Sequence, residues 1–147
     1  MSITGNQVEH NGTDPNFHGG ILMVNSGLNS LSMNDVSDNS GFGIVLDSSA
    51  YNVLTDNKTK LNGGGIVLVN GAQQNVVEAN ISKLNQVGII LSITYPEAAF
   101  PFDNLFEGNL IHNNFGVDVL DQDPACNDVW TDNDIKSVSS ASADCIN

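Results

Sequence analysis

The amino-acid sequence predicts an all-β parallel β-helix, a solenoid of about six coils with asparagine ladders, from two spacings and one absence. Of the 147 residues, 21 are asparagine, and most fall in triplets spaced by five. The triplets are Asn6, Asn11, Asn16; Asn29, Asn34, Asn39; Asn52, Asn57, Asn62; and Asn75, Asn80, Asn85, each 23 residues after the one before. Steps of 29 and 24 then lead to Asn104, Asn109, Asn114 and to Asp128, Asn133 and Val138, where the pattern decays. A second marker keeps the same period: Gly20-Ile21-Leu22-Met23, Gly43-Ile44-Val45-Leu46, Gly65-Ile66-Val67-Leu68, Gly88-Ile89-Ile90-Leu91 and Gly116-Val117-Asp118-Val119. No segment of 10 residues carries a helical period, and the apolar stretches are short, alternating and β-branched.

The elements follow in order. Coils start near 6, 29, 52, 75, 104 and 128 within one domain, 1–147, with a loop insertion at about 93–103 and a C-terminal cap at about 121–147. Asparagine tolerates left-handed backbone angles, so one Asn is expected to turn the chain at each bend. Coils stacked about 4.8 Å apart bring the carboxamides into hydrogen-bonded ladders. The residue two after the first Asn should point inward, giving the column Val8, Leu31, Leu54, Val77, Phe106, Trp130, with Trp130 as an end cap. In the glycine strand Ile21 and Met23, Ile44 and Leu46, Ile66 and Leu68, Ile89 and Leu91, and Val117 and Val119 should also face inward. Leu22, Val45, Val67 and Ile90 would then form an outward apolar stripe that needs a cover. The insertion Tyr95 to Phe102, a protein partner or an oligomerising shaft could each supply one. The first triplet opens at Asn6 with no amphipathic helix over the edge, so a longer β-helix chain or assembly is expected.

Composition narrows the function. Seventeen acids against four lysines, with no arginine, give a formal charge of −13, which repels nucleic acid and anionic lipid. The longest apolar runs, such as Val87 to Leu91, are too short to span a bilayer, and Met1 to His10 carries no signal-peptide pattern. No nucleic-acid or membrane partner is expected.

The repeat Asn-x-Leu-x-x-Asn-x-x-x-x-Asn with Gly-Ile-x-Leu after it, in Asn29 to Leu46 and Asn52 to Leu68, resembles the right-handed parallel β-helix repeats of the pectate-lyase-like superfamily, in particular its NosD-like periplasmic group. The ending, Asp118 to Trp130 followed by Cys145, is similar to the C-terminal coil of secreted bacterial members. The resemblance implies a secreted or periplasmic module, carbohydrate-associated or structural. This scaffold also hosts lyases, hydrolases and epimerases. Lyases of the superfamily offer clustered aspartates and an arginine or lysine base; this chain has no arginine, no Gly-His-Gly and no Asp-Pro-His. The NosD resemblance implies copper, yet His10, His18, His112 and Met23 form no soft-ligand cluster.

Several residues remain as candidates. Three residues after the second Asn of each coil come Asp14, Ser37, Lys60, Lys83, His112 and Lys136, a column holding most of the cations, with Lys58 beside it. Lys60, Lys83, His112 and Lys136 are therefore candidates for binding an acidic polysaccharide. The column Glu9, Ser32, Thr55, Glu78, Glu107, Thr131 could offset their charge. If the chain is instead a fragment of a lyase or hydrolase, Lys83, His112, Glu78 and Glu107 are its candidate acids and bases. Asp118, Asp121 and Asp123 are oxygen ligands of the kind calcium takes, though no EF-hand spacing is present. Otherwise no cofactor is expected. Cys126 and Cys145 are read as a disulfide across the last coil, which fits an extracytoplasmic setting.

Overall fold

A computed structural model describes residues 1–12, 19–139 and 145–146. Among the described residues, seventeen short strands wind through the coils. The first coil has β1 (Ser2–Thr4), β2 (Gln7–Glu9) and β3 (Ile21–Val24), and the second β4 (Ser30–Ser32), β5 (Asp35–Ser37) and β6 (Phe42–Asp47). Next come β7 (Val53–Thr55), β8 (Lys58–Lys60) and β9 (Gly64–Val69), then β10 (Val76–Glu78), β11 (Ile81–Lys83) and β12 (Val87–Ser92). The last strands are β13 (Leu105–Glu107), β14 (Leu110–Ile111), β15 (Val117–Asp121), β16 (Val129–Thr131) and β17 (Asp134–Ile135). Every third strand pairs in parallel, giving sheet A from β1 to β16, sheet B from β2 to β17 and sheet C from β3 to β15. The fold is the predicted parallel β-helix.

Three ladders stand at the corners of the coil. The second runs Asn6, Asn34, Asn57, Asn80, Asn109, Asn133. Asn57, fully buried, shows its chemistry. Its backbone N–H and Nδ2 donate to Asn80 Oδ1 at 2.9 and 3.0 Å. Nδ2 also donates to the Leu31 carbonyl at 2.8 Å, and Oδ1 accepts the Asn34 backbone N–H and Nδ2 at 3.1 and 2.9 Å. Every polar atom of the buried amide is thereby satisfied, which burial demands.

The conformational strain falls on the residue before each ladder Asn, not on the ladder Asn itself as expected. Met33, Asp56 and Ala79 precede Asn34, Asn57 and Asn80 at φ of 55°, 55° and 53°, and Leu61 and Leu84 precede Asn62 and Asn85 at 56° and 57°. The Asn side chain has to point inward to reach the next rung, so its outward neighbour takes the left-handed angle. That costs roughly 1 kcal/mol or more per non-glycine residue, offset by the ladder bonds. Gly5 and Gly108 fill the same place in other coils.

The repeat glycines serve close approach. A Cβ on Gly43 would meet the Gly65 carbonyl at 2.5 Å and Thr59 at 3.2 Å, and one on Gly65 would overlap Ser82 Oγ. Inward side chains of sheet B thus fill the space that a side chain there would need. The remaining core is aliphatic, with Leu31, Leu54, Val77 and Phe106 in one fully buried column and Ile44, Ile66, Ile89 in another. Phe106 and Trp130 stack at 4.0 Å between ring centroids and close the column, as expected of an end cap.

Register differs from expectation at both ends. Asn6 pairs with Asn34 and Asn11 with Asn39, 28 residues on, instead of with Asn29 and Asn34. Ile3 therefore sits beneath Leu31, and Val8 moves to sheet B beneath Val36. Asn16, Asp14 and His18 lie outside the described residues. In the fifth coil Val119, not Val117, aligns with Ile89, Val117 aligns with Val87, and Asp121 takes the place of Leu91's continuation. The shift turns Asp118 inward, where its Oδ1 accepts the Asn114 backbone N–H and Nδ2 at 3.2 and 2.8 Å and ends the third ladder.

The apolar stripe is also closed differently. Val45 and Val67 are buried, with Phe42 and Ile90 packed against them, while Leu22 stays 49% exposed. Gly64 makes this possible: a Cβ there would meet Phe42 Cδ1 and Ile90 Cδ1, both at 2.9 Å. An oligomerising shaft built on the whole stripe loses its two central residues.

Replacing Asn80 by Ala removes an amide that is 1% exposed, takes the acceptor from the Asn57 backbone N–H and from one Asn57 Nδ2 proton, and leaves Asn109 Oδ1 with the Asn80 backbone N–H in place of two donors. Equilibrium denaturation should show a loss of about 1–3 kcal/mol, with an unchanged midpoint counting against the ladder.

Candidate functional site

Sheet B gathers the cations. Its second and third coils place Ser37 under Lys60, its third and fourth Lys60 under Lys83, and Asp35 lies under Lys58. Lys58 and Lys60 alternate around the inward Thr59 and so share the outer face. With Asp35, Ile81 and Lys83 they line a cleft of about 280 Å³. His112 follows β14 and Lys136 follows β17, so they continue the column beyond the cleft; His112 is half-buried, its Nδ1 without a hydrogen-bond partner among the described residues, and Lys136 is exposed. The foot of the column is Glu9, paired with Ser37.

The offsetting charge comes from sheet B itself. Lys60 Nζ lies 3.7 Å from Asp35 Oδ2, and the other ion pair among the described residues is His10 to Asp38 at 3.1 Å. The column expected to do this is on sheet A, where Thr4 stands in the place given to Glu9 and Glu78 aligns with Glu107. Asp35 carried a readable signal, since it falls 23 residues before Lys58.

The acid–base candidates fall on two different sheets. Lys83 belongs to β11 and His112 follows β14 on sheet B, whereas Glu78 and Glu107 end β10 and β13 on sheet A, across the Asn80–Asn109 corner. No ion pair joins them among the described residues. A larger groove of about 580 Å³ runs along the corner between sheets B and C, lined by His10, Asp38, Leu61, Leu84 and Phe115 among others. Sequence reasoning missed it, because the exposed Leu61 and Leu84 are left-handed corner residues and carry no motif.

Metal ligation finds no support in the donor set. Among the described residues no group of three or more His, Cys, Asp or Glu is placed to hold a metal ion. Asp118 Oδ2 accepts from Ser137 N, Ser137 Oγ and Lys136 N at 3.0, 3.0 and 3.3 Å. Asp121 Oδ1 accepts the Asp123 N–H at 2.9 Å, and Asp123 Oδ1 accepts that of Ala125 at 3.0 Å. These are turn and cap contacts within the protein. Copper fits no better: His10 Nε2 is held by Asp38, His112 lies four coils away, Met23 is buried, and Cys126 and Cys145 form a disulfide.

Burial sets the ionisation of the cap. Asp118 is buried, which opposes its charge, but bonds from Asn114, Ser137 and Lys136 outweigh this and hold its carboxyl below the ordinary range. Asp121, 1% exposed atop the column that contains Leu91, is pushed up to about 6 by burial and by the nearby Asp128 and Asp123 carboxylates, against the bond from Asp123 N–H. Between its unfolded value of 3.8 and about 6 the folded chain holds a proton there that the unfolded chain has lost. Asp121 therefore destabilises at neutral pH, and that effect disappears as pH falls through this window. Asp121→Asn keeps an oxygen for the Asp123 N–H and should raise the melting temperature at about pH 7.5 while flattening its slope below about pH 6. A lower melting temperature for the variant at about pH 7.5 would contradict this assignment.

No curated protein and no solved structure matches the chain. The family described as "Periplasmic copper-binding protein (NosD)" matches residues 1–143. With the parallel coils, the asparagine ladders and the C-terminal disulfide in place, the chain belongs to the NosD family of right-handed β-helix proteins, a periplasmic family.

Proposed function

We propose that this chain is a rigid periplasmic β-helix module that associates with acidic polysaccharide along sheet B and performs no chemistry on it. The convergence of Lys58, Lys60 and Lys83 on one cleft, in a chain of charge −13, carries this reading. Three of the four lysines stand within two adjacent coils, and among the described residues only Asp35 forms an ion pair with them. Like charges at a spacing of about 5 Å repel, and a uronate or sulfate group relieves that repulsion. The ladders favour a scaffold, since a rod whose buried amides are all paired presents its outer side chains at a fixed repeat. The separation of Lys83 and His112 from Glu78 and Glu107 favours binding over elimination or hydrolysis.

Oligogalacturonate should bind the purified protein at low salt, and its affinity should weaken as salt rises because the contacts lie within a Debye length of about 8–10 Å. Lys83→Ala should cost about tenfold in Kd and Lys136→Ala less, since Lys83 lines the cleft and Lys136 stands apart from it. Calorimetry that finds no binding of acidic oligosaccharide at millimolar concentration, or equal binding of a neutral one, rejects the proposal.

A further inference from the structure

We propose that Asp128 closes the first ladder as a carboxylic acid, its Oδ2–H donating to the Pro101 carbonyl, while Asp118 closes the third as a carboxylate, so that the C-terminal end of the rod tightens as the pH falls.

The ladder's own polarity supplies the argument. In the first ladder each amide donates twice. Its Nδ2 reaches the next rung's Oδ1, and it also reaches the carbonyl three residues before the previous rung's Asn: Asn52 to Ser26, Asn75 to Ser49 and Asn104 to Ala72, at 3.1, 2.9 and 3.0 Å. The rung above Asn104 is Asp128, and the residue three before Asn104 is Pro101. Asp128 Oδ1 performs the acceptor half of the pattern, taking the Asn104 backbone N–H and Nδ2 at 2.8 and 2.9 Å. Its Oδ2 is the atom that the repeat assigns to the donor's place; it is buried and has no hydrogen-bond partner among the described residues. By the register of the rungs below, a carboxylate there would meet the Pro101 carbonyl with no proton between them, whereas a carboxylic acid would complete the repeat.

Asp118 ends its ladder under the opposite condition. Its Oδ1 takes the Asn114 donors, and its Oδ2 accepts three further bonds from Lys136 and Ser137, so the anion is fully satisfied and a proton would displace a donor. The charged groups around Asp128 point the other way. Asp103, at the same corner one coil earlier, and Asp121 and Asp123 of the cap loop all repel its charge, and among the described residues no lysine or histidine forms an ion pair with it. Burial is the largest influence on Asp128 and, with Asp123 and Asp103, raises its pKa despite the Asn104 bonds. An acid whose folded-state pKa is raised stabilises the fold on the acidic side of that value.

Carboxyl 13C shifts followed through a pH titration of the whole chain, with its disulfide intact, read both groups directly. Asp128 should titrate above the ordinary value of 3.8 and Asp118 below it. Asp128→Asn, which puts a permanent donor at the Oδ2 position, should raise the melting temperature at about pH 7.5 and change it little at about pH 4.5, whereas Asp118→Asn should lower it at about pH 7.5. An Asp128 midpoint at or below the ordinary value overturns the proposal, as does an Asp128→Asn variant no more stable than the parent at about pH 7.5. A repeat of the titration with millimolar Ca²⁺ separates proton from metal. An unmoved Asp128 midpoint supports the acid, and a midpoint lowered by about one unit makes Oδ2 a cation ligand and overturns it.

Discussion

A buried carboxamide has two donors and two acceptor lone pairs, and the whole rod depends on satisfying all four at each interior rung. Only another amide in the same place one coil later can accept from Nδ2 while offering its own Nδ2 onward. The ladder is therefore directional, with Oδ1 towards the N-terminal coils and Nδ2 towards the C-terminal ones. Direction explains where aspartate is permitted. Asp128 and Asp118 stand only at the last rung of their ladders, where acceptance is still needed and onward donation is not. An aspartate at an interior rung would break the chain of donors. The same requirement pushes the left-handed angle onto the residue before each ladder Asn and leaves no room for side chains at Gly43 and Gly65.

Most of the fold was legible because those requirements repeat. The period of 23, the inward columns and the glycine marker are local consequences of one coil, so counting residues finds them. Register at the ends was not legible by counting. Three asparagines spaced by five match the next coil equally well after a slip of one Asn, and only the need to place Ile3 under Leu31 and Val8 under Val36 breaks the tie. In the fifth coil Gly116 imitates the glycine marker, but the Asp118 carbonyl is what packs beside Gly88. The signal there was Asp118 itself, an acid at a supposedly outward position two residues into an apolar strand.

The candidate site was legible in part, for a physical reason. Inward positions are constrained from both neighbouring coils, whereas outward positions answer only to solvent and ligand. Lys60 and Lys83 could be stacked from spacing alone. The role of Asp35 and the separation of Glu78 and Glu107 onto another sheet depend on how the corner at Asn80 divides the faces. The family's copper-binding description has no counterpart in the described donor set, where the two histidines stand four coils apart and the two cysteines are joined. Within a shared scaffold, ligand chemistry can change without disturbing a single ladder bond.

The most direct measurement is side-chain amide exchange, read by 15N NMR at the Nδ2 groups. Asn57, Asn62, Asn80 and Asn85, all interior and at most 3% exposed, should exchange as slowly as the backbone amides of β8 and β11. Asn6 and Asn11, each paired on one side only, should exchange faster, and the exposed Asn25 and Asn113 fastest. Fast exchange of the interior Nδ2 groups beneath a protected backbone would show that the sheets stand without the ladders and would contradict this account.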